Sequence, residues 1–196
     1  MILLPFDTGH DVKEAAPQVA QIRAGGGVVL FPTETYYGLG ADPANRSAVE
    51  TVFALKERPP GVPLPVLVSD WDQLEAIVEV PDRHRVKLSR SWPGALTVVL
   101  PARRSLPAGT ARTLAVRIPA HDRLRALLYR VGPLTGTSAN RHGEAPCITV
   151  ADALGSLGGS PDLVLDGGTT RGGAPSTLVD LTGDADKVLR PGPIGW

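Results

Sequence analysis

Residues 32–58 read PTETYYGLGADPANRSAVETVFALKER and follow the apolar run Val28-Val29-Leu30-Phe31. That run is short and β-branched, as a buried strand should be, and Pro32 stops it. Thr33 and Thr35 therefore stand just past a strand end. Open α/β sheets bind ligands in the crevice beyond the carboxyl ends of their strands, so a polar cluster there is a candidate site. Tyr36 and Tyr37 add flat faces with polar tips, and Gly38 and Gly40 would let backbone N–H groups approach a ligand. The plainer alternative is a tyrosine-anchored turn. Asp42 and Asn45 are candidate caps for a helix from about Arg46, with Val49, Val52, Phe53 and Leu55 near helical spacing. Lys56 and Arg58 close it before a Pro59-Pro60-Gly61 break. Cations favour a helix C-terminus on dipole grounds alone, but their place after the threonine-rich turn makes them candidates for an anionic ligand.

Outward from this stretch, the chain has the length of one large domain, and its 196 residues at 42% hydrophobic content suffice for a buried core. Formal net charge is zero, yet residues 83–130 hold eleven Lys and Arg against Asp122 alone. Such asymmetry suits an anionic partner such as a nucleotide, and equally a solvated arginine-rich face. The lone Cys147 provides neither a disulfide framework nor a cysteine zinc site. His10, His84, His121 and His142 lack metal-ligand spacing. The first residues, MILLPFD, form no signal peptide, and no apolar run reaches membrane-spanning length, so a soluble cytoplasmic protein is expected.

Along the chain, strands are expected at Ile2–Leu4, Leu64–Val68, Ala95–Leu100, Thr113–Ile118, Pro133–Thr137, Leu163–Leu165, Thr177–Leu181 and Val188–Arg190. Helices are expected over Val12–Ala24, from Asp70, over Asp82–Ser91, His121–Val131 and Thr149–Leu157. Gly25-Gly26-Gly27 is a helix stop rather than a phosphate loop, because no Gly-Lys-Ser/Thr follows. Arg117 ends an apolar run before Pro119, where a fixed guanidinium suits a carboxylate or phosphate; a structural ion pair is the alternative. Gly136-x-Ser138 only partly matches a nucleophile elbow, since Asn140 replaces the second glycine and no His/Asp set accompanies it. Asp166, Ser176 and Arg190 lie at element edges, with a loop at 166–175 between strands.

The ordered set Pro32-Thr33-Glu34-Thr35-Tyr36-Tyr37-Gly38-Leu39, Lys56-x-Arg58, Pro93-Gly94-x-Leu96-Thr97, Arg117-Ile118-Pro119, Thr137-Ser138-Ala139-Asn140, Ser176-Thr177-Leu178-Val179-Asp180 and Leu189-Arg190-Pro191-Gly192 resembles the YrdC/TsaC-like family over essentially the whole chain. The resemblance implies one α/β domain over residues 1–196, a twisted open mixed β-sheet flanked by helices, with a concave positively charged cavity. It implies synthesis of threonylcarbamoyl-AMP and pyrophosphate from L-threonine, bicarbonate or CO2, and ATP, for threonylcarbamoyl modification of the adenosine next to the tRNA anticodon. By position it puts Thr35, Arg117, Thr137 and Ser176 around the threonine. It puts Lys56, Arg58, Thr113, Ser138, Asn140 and Arg190 around ATP, with Lys56 and Arg58 also catalytic. Mg2+ is expected with ATP and no protein-ligated metal; tRNA or downstream threonylcarbamoyl-transferase proteins are the implied partners. Two positions depart from the pattern: Leu67 stands where some relatives have histidine, and Val62 where others have lysine. Longer members carry a second carboxy-terminal domain, whereas this chain ends at Trp196 and is expected to be the short form. The rival readings are a non-catalytic paralogue and an RNA-binding module using the arginine-rich middle segment, the latter with little aromatic interleaving beyond Trp92 and Tyr129.

Overall fold

The computed structural model describes residues 1–59 and 61–196; the expected Pro59-Pro60-Gly61 break includes residue 60, which lies outside the described residues. In chain order the elements are β1 (Ile2–Pro5), α1 (Gly9–Ala24), β2 (Val29–Pro32), β3 (Tyr37–Gly40), α2 (Arg46–Leu55), β4 (Val66–Leu67), α3 (Trp71–Ile77) and α4 (Asp82–Ser91). There follow β5 (Leu96–Pro101), β6 (Thr113–Arg117), α5 (Asp122–Val131), β7 (Leu134–Thr135), β8 (Thr137–Ser138), α6 (Val150–Ser156), β9 (Leu163–Asp166), β10 (Thr177–Asp180) and β11 (Lys187–Arg190). This is the expected single α/β domain with mixed strands flanked by helices, but the strands are dealt into two sheets. One has the order β1-β9-β2-β3-β8 and the other β11-β10-β5-β6-β4-β7. In the first, β1, β9 and β2 run parallel while β3 and β8 are antiparallel to their neighbours.

Strand alternation explains why β2 reads as an unbroken apolar run. Val29 and Phe31 face one core with Leu163 and Leu165 of β9, closed by Val12, Ala15 and Val19 of α1 and Leu124, Leu127 and Leu128 of α5. Leu30 and Val164 face the other way, into a core shared with Val98, Leu114 and Val116 of the second sheet. The helices begin where side-chain oxygens satisfy free N–H groups: Asn45 accepts from Ala48 N–H, Asp70 from Gln73 N–H and Thr149 from Asp152 N–H. Asp42, the other candidate cap, instead accepts from Ala44 N–H and pairs with Arg23.

Two departures from the sequence expectation shape the site. Tyr37–Gly40 is a strand rather than a turn, paired with β2 on one edge and β8 on the other, and its Tyr37 and Gly38 still line the space between the sheets. Its glycines make room for a side chain: a Cβ at Gly40 would collide with the Phe31 ring, and one at Gly38 would stand 3.1 Å from it. The expected strand Pro133–Thr137 is broken at Gly136, with β7 pairing in the second sheet and β8 in the first. A Cβ at Gly136 would collide with Leu67. The chain therefore crosses between sheets at the one residue type that lets Leu67 pack there, and the crossing delivers Thr137 and Ser138 to the space between the sheets.

Candidate active site

Between the two sheets lies a cavity of about 600 Å3. Thr33, Thr35 and Tyr36 of the β2–β3 turn line one wall, with Thr137 and Ser138. The other wall is built by period-two alternation: Thr97 and Val99 of β5, Ala115 and Arg117 of β6, and Ser176 and Leu178 at β10. Of the ten residues singled out from the sequence, Thr35, Arg58, Arg117, Thr137, Ser138, Asn140, Ser176 and Arg190 all line this one cavity. Thr113 shares the strand face of Ala115 and Arg117 but lies farther along β6 and is not among the lining; its hydroxyl meets that of Thr110 at 2.8 Å. Leu67 and Val62, the two departures, both line the cavity.

Lys56 lies beneath the lining and is 2% exposed. As the C-cap of α2 it turns its ammonium to the Ser138 carbonyl and, at 2.6 Å, to the Asn140 carbonyl. Burial pushes its pKa down to about 8, and the Arg58 charge adds to that fall. Glu57, the next residue, has φ of +48°, a left-handed conformation that costs a non-glycine side chain energy. This bend separates the two cations: Lys56 goes under the Thr137–Asn140 segment, and Arg58 goes to the cavity, donating to Pro63 O at 3.1 Å. Burial lowers the Arg58 pKa, although a guanidinium stays charged throughout the physiological range.

Asn140 spends its amide N–H groups on the Arg141 and Glu144 carbonyls, at 2.8 and 2.9 Å. Its Oδ1 is buried with no partner among the described residues. A buried, unpaired acceptor on a cavity wall is poised to receive a ligand donor. Arg190 donates to Ser176 O from Nε and Nη2, at 3.1 and 2.9 Å, and to Ser176 Oγ at 3.2 Å. Burial lowers its pKa, and the nearby Arg117 charge contributes. The Ser176 hydroxyl also meets that of Thr97 at 2.9 Å. Arg117 donates from Nε to Gly94 O at 3.0 Å, and its Nη2 stands 2.6 Å from Glu34 Oε1, an ion pair without good hydrogen-bond angles.

Glu34 and Thr97 have no task in the sequence expectation, while the tyrosine hydroxyls act as the tyrosine-anchored turn would have them. Thr33 Oγ1 donates to Tyr36 O at 2.7 Å and accepts from the N–H groups of Thr35 and Tyr36, each at 3.1 Å, so it builds the turn. Tyr36 OH donates to Gly173 O, and Tyr37 OH donates to Gly168 O at 2.7 Å. Gly172 N–H reaches Thr35 O at 2.7 Å. The 167–173 loop is thus moored to the threonine turn. Thr97 was legible in principle, two residues before Val99 on a strand whose alternate positions face the cavity; the loop moorings have no local sequence signal. Among the described residues no group of three or more His, Cys, Asp or Glu is placed to hold a metal ion.

Residues 21–192 match the family model Sua5_yciO_yrdC, which carries the description telomere recombination. The chain belongs to the Sua5/YciO/YrdC family. A Mycobacterium tuberculosis relative is 41% identical over 180 residues, 90% of this chain and 82% of its own. The threonylcarbamoyl-AMP synthase of Photobacterium profundum is 34% identical over 182 residues, 89% of this chain and 97% of its own. The crystal structure of Pyrococcus abyssi Sua5 complexed with L-threonine superimposes with a TM-score of 0.87 at 34% identity, covering 98% of this chain; this chain spans 58% of that one. Lys56, Arg58, Ser138 and Asn140 stand in one cluster, Arg58, Ser138 and Asn140 on the cavity and Lys56 bonded directly beneath it.

Proposed function

We propose that this protein is an L-threonylcarbamoyladenylate synthase, a nucleotidyltransferase that makes threonylcarbamoyl-AMP and pyrophosphate from L-threonine, bicarbonate or CO2, and ATP. The product serves threonylcarbamoyl modification of the adenosine next to the tRNA anticodon in the cytoplasm. The observation that carries this reading is convergence: eight residues drawn from Thr35 to Arg190 meet on one cavity of about 600 Å3, within the range of about 300–1,000 Å3 usual for small-molecule sites.

Thr35, Arg117, Thr137 and Ser176 hold the threonine, the guanidinium taking its carboxylate and the hydroxyls its polar groups. Arg58, Ser138, Asn140 and Arg190 hold ATP, with Lys56 supporting Ser138 and Asn140 from below; Thr113, at the far end of the β6 face that carries Ala115 and Arg117, stands outside the lining. The two sets touch where Arg190 donates to Ser176. There a carbamate formed from the threonine amine and CO2 meets the α-phosphorus: its oxygen forms the new P–O bond as the bond to pyrophosphate breaks. No side-chain nucleophile is required. The cations neutralise charge growing on the phosphorus oxygens and the leaving group, so catalysis is positioning plus electrostatics. Magnesium accompanies the triphosphate as part of the substrate. Of the described lining residues Glu144 alone is a carboxylate, and it accepts from Ser156 Oγ; magnesium is commonly held by one or two carboxylates together with substrate phosphates, which suits an ion that arrives with ATP.

Purified protein with Mg-ATP, bicarbonate and threonine should release pyrophosphate only when threonine is present, and mass spectrometry should detect threonylcarbamoyl-AMP. Absence of both products, with tRNA binding that weakens steeply with salt, would replace the synthase by the RNA-binding alternative.

A further inference from the structure

We propose that Glu34 is a positioning residue for the threonine half of the cavity, its carboxylate setting the direction in which Arg117 offers its guanidinium to the substrate carboxylate. The inference rests on the threonine-binding role proposed above for Arg117. Glu34 lies in the β2–β3 turn of the first sheet, between Thr33 and Thr35, while Arg117 ends β6 in the second. Their contact at 2.6 Å therefore ties one wall of the cavity to the other, with side chains only 15% and 9% exposed.

Glu34 Oε1 is held twice, by Arg117 Nη2 and by the Ala120 N–H, which donates to it at 2.7 Å. Arg117 Nε is fixed by its hydrogen bond to Gly94 O and Nη2 by its ion contact with Glu34, and Nη1 forms no hydrogen bond to the described residues. Arg117 lines the cavity, so the free end of its fork is the part left for a ligand. A guanidinium has a planar, rigid fork, so fixing two nitrogens fixes the third. The other oxygen, Glu34 Oε2, is buried and has no partner among the described residues. A glutamine would satisfy the Ala120 N–H equally well but would leave the buried Arg117 charge without its counter-ion, so what the carboxylate adds over an amide is its action on Arg117. A carboxylate in this place fits a role in orienting Arg117 better than a role in holding the fold.

The test measures threonine and ATP affinity separately, by titration calorimetry on the wild type, Glu34→Gln and Glu34→Asp, with thermal melts as controls. Glu34→Gln should weaken threonine binding about 10–100-fold, the range for losing a charge-assisted contact, and leave ATP binding within about twofold. Glu34→Asp, which keeps the charge but shortens the reach, should fall between. Unchanged or tighter threonine binding in a folded Glu34→Gln overturns the proposal, and so does a parallel loss of both affinities. Should Glu34→Gln not fold, the same split is read from Glu34→Asp. A wild type that binds no threonine removes the reading of the site and this inference with it, whereas wild-type binding with an indifferent Glu34→Gln removes only the inference.

Discussion

Arg117 and Arg125 lie eight residues apart, one closing β6 and the other in α5, and each meets a carboxylate, the first in a buried pair on the cavity and the second at the surface. Arg125 pairs at 2.7 Å with Asp122, one turn away and 91% exposed. Arg85, Arg103 and Arg123 likewise face Glu75, Glu79 and Asp7 across half-open contacts. Two of the cavity arginines lean on neutral carbonyls, Arg58 on Pro63 and Arg190 on Ser176, while Arg117 divides its guanidinium between the Gly94 carbonyl and the buried Glu34 carboxylate. A carbonyl fixes a cation without cancelling its charge, whereas a carboxylate cancels it and solvent screens what is left. The excess of positive charge over residues 83–130 is thus a poor guide to the site. Arg117 is the only one of its eleven basic residues on the cavity lining.

The sharpest way to break this contrast is to truncate one arginine of each kind. Arg58→Ala should lower kcat/KM for pyrophosphate release by about 10²–10³-fold, the usual loss when one preorganised donor to developing charge is removed. A smaller loss than Arg125→Ala produces would erase the distinction. Next in size, Lys56→Met should cost roughly 2–6 kcal/mol in urea unfolding, because two carbonyls lose their shared donor and each buried unpaired carbonyl costs about 1–3 kcal/mol.

The same lysine yields opposite trends with pH. Its native pKa is lowered from 10.5 to about 8, so above pH 8 the folded protein sheds a proton that the unfolded chain keeps until about pH 10.5. The Lys56 contribution to stability therefore rises with pH across that window. ATP affinity, measured without threonine so that the substrate amine does not titrate, should fall as pH passes 8, and Lys56→Met should lack that limb. Smallest of all, Arg123→Ala and Arg125→Ala should change stability by less than about 1 kcal/mol, as exposed ion pairs do, with turnover unaltered within assay error.

The elements were legible wherever one physical cause sufficed. Val28–Phe31 is apolar because both faces of β2 are covered, and Asn45, Asp70 and Thr149 announce the helices they cap. Prolines 63 and 65 explain why the strand expected over Leu64–Val68 shrinks to Val66–Leu67. Gly40 was misleading, where Gly38 was not, because a glycine that makes room for Phe31 looks the same, in one dimension, as a glycine that borders a cavity. The site followed a similar division. Side chains that face the cavity stand out as polar residues at strand ends, but the supports do not. That Lys56 holds Ser138 and Asn140 from below, or that Glu34 reaches Arg117 across two sheets, depends on contacts between residues more than 80 positions apart.

The 167–173 loop carries a consequence for how freely its residues can be exchanged. Gly168, Gly172 and Gly173 have φ of +72°, +66° and +98°, backbone that an L side chain enters only under strain. Two of these glycines bond directly to Thr35 and Tyr36, so a strained substitution would be passed on to the turn. Solvent exposure normally marks the positions evolution and engineers can vary at little cost. Here a saturation library should reveal the reverse, a water-facing segment as unforgiving as the interior.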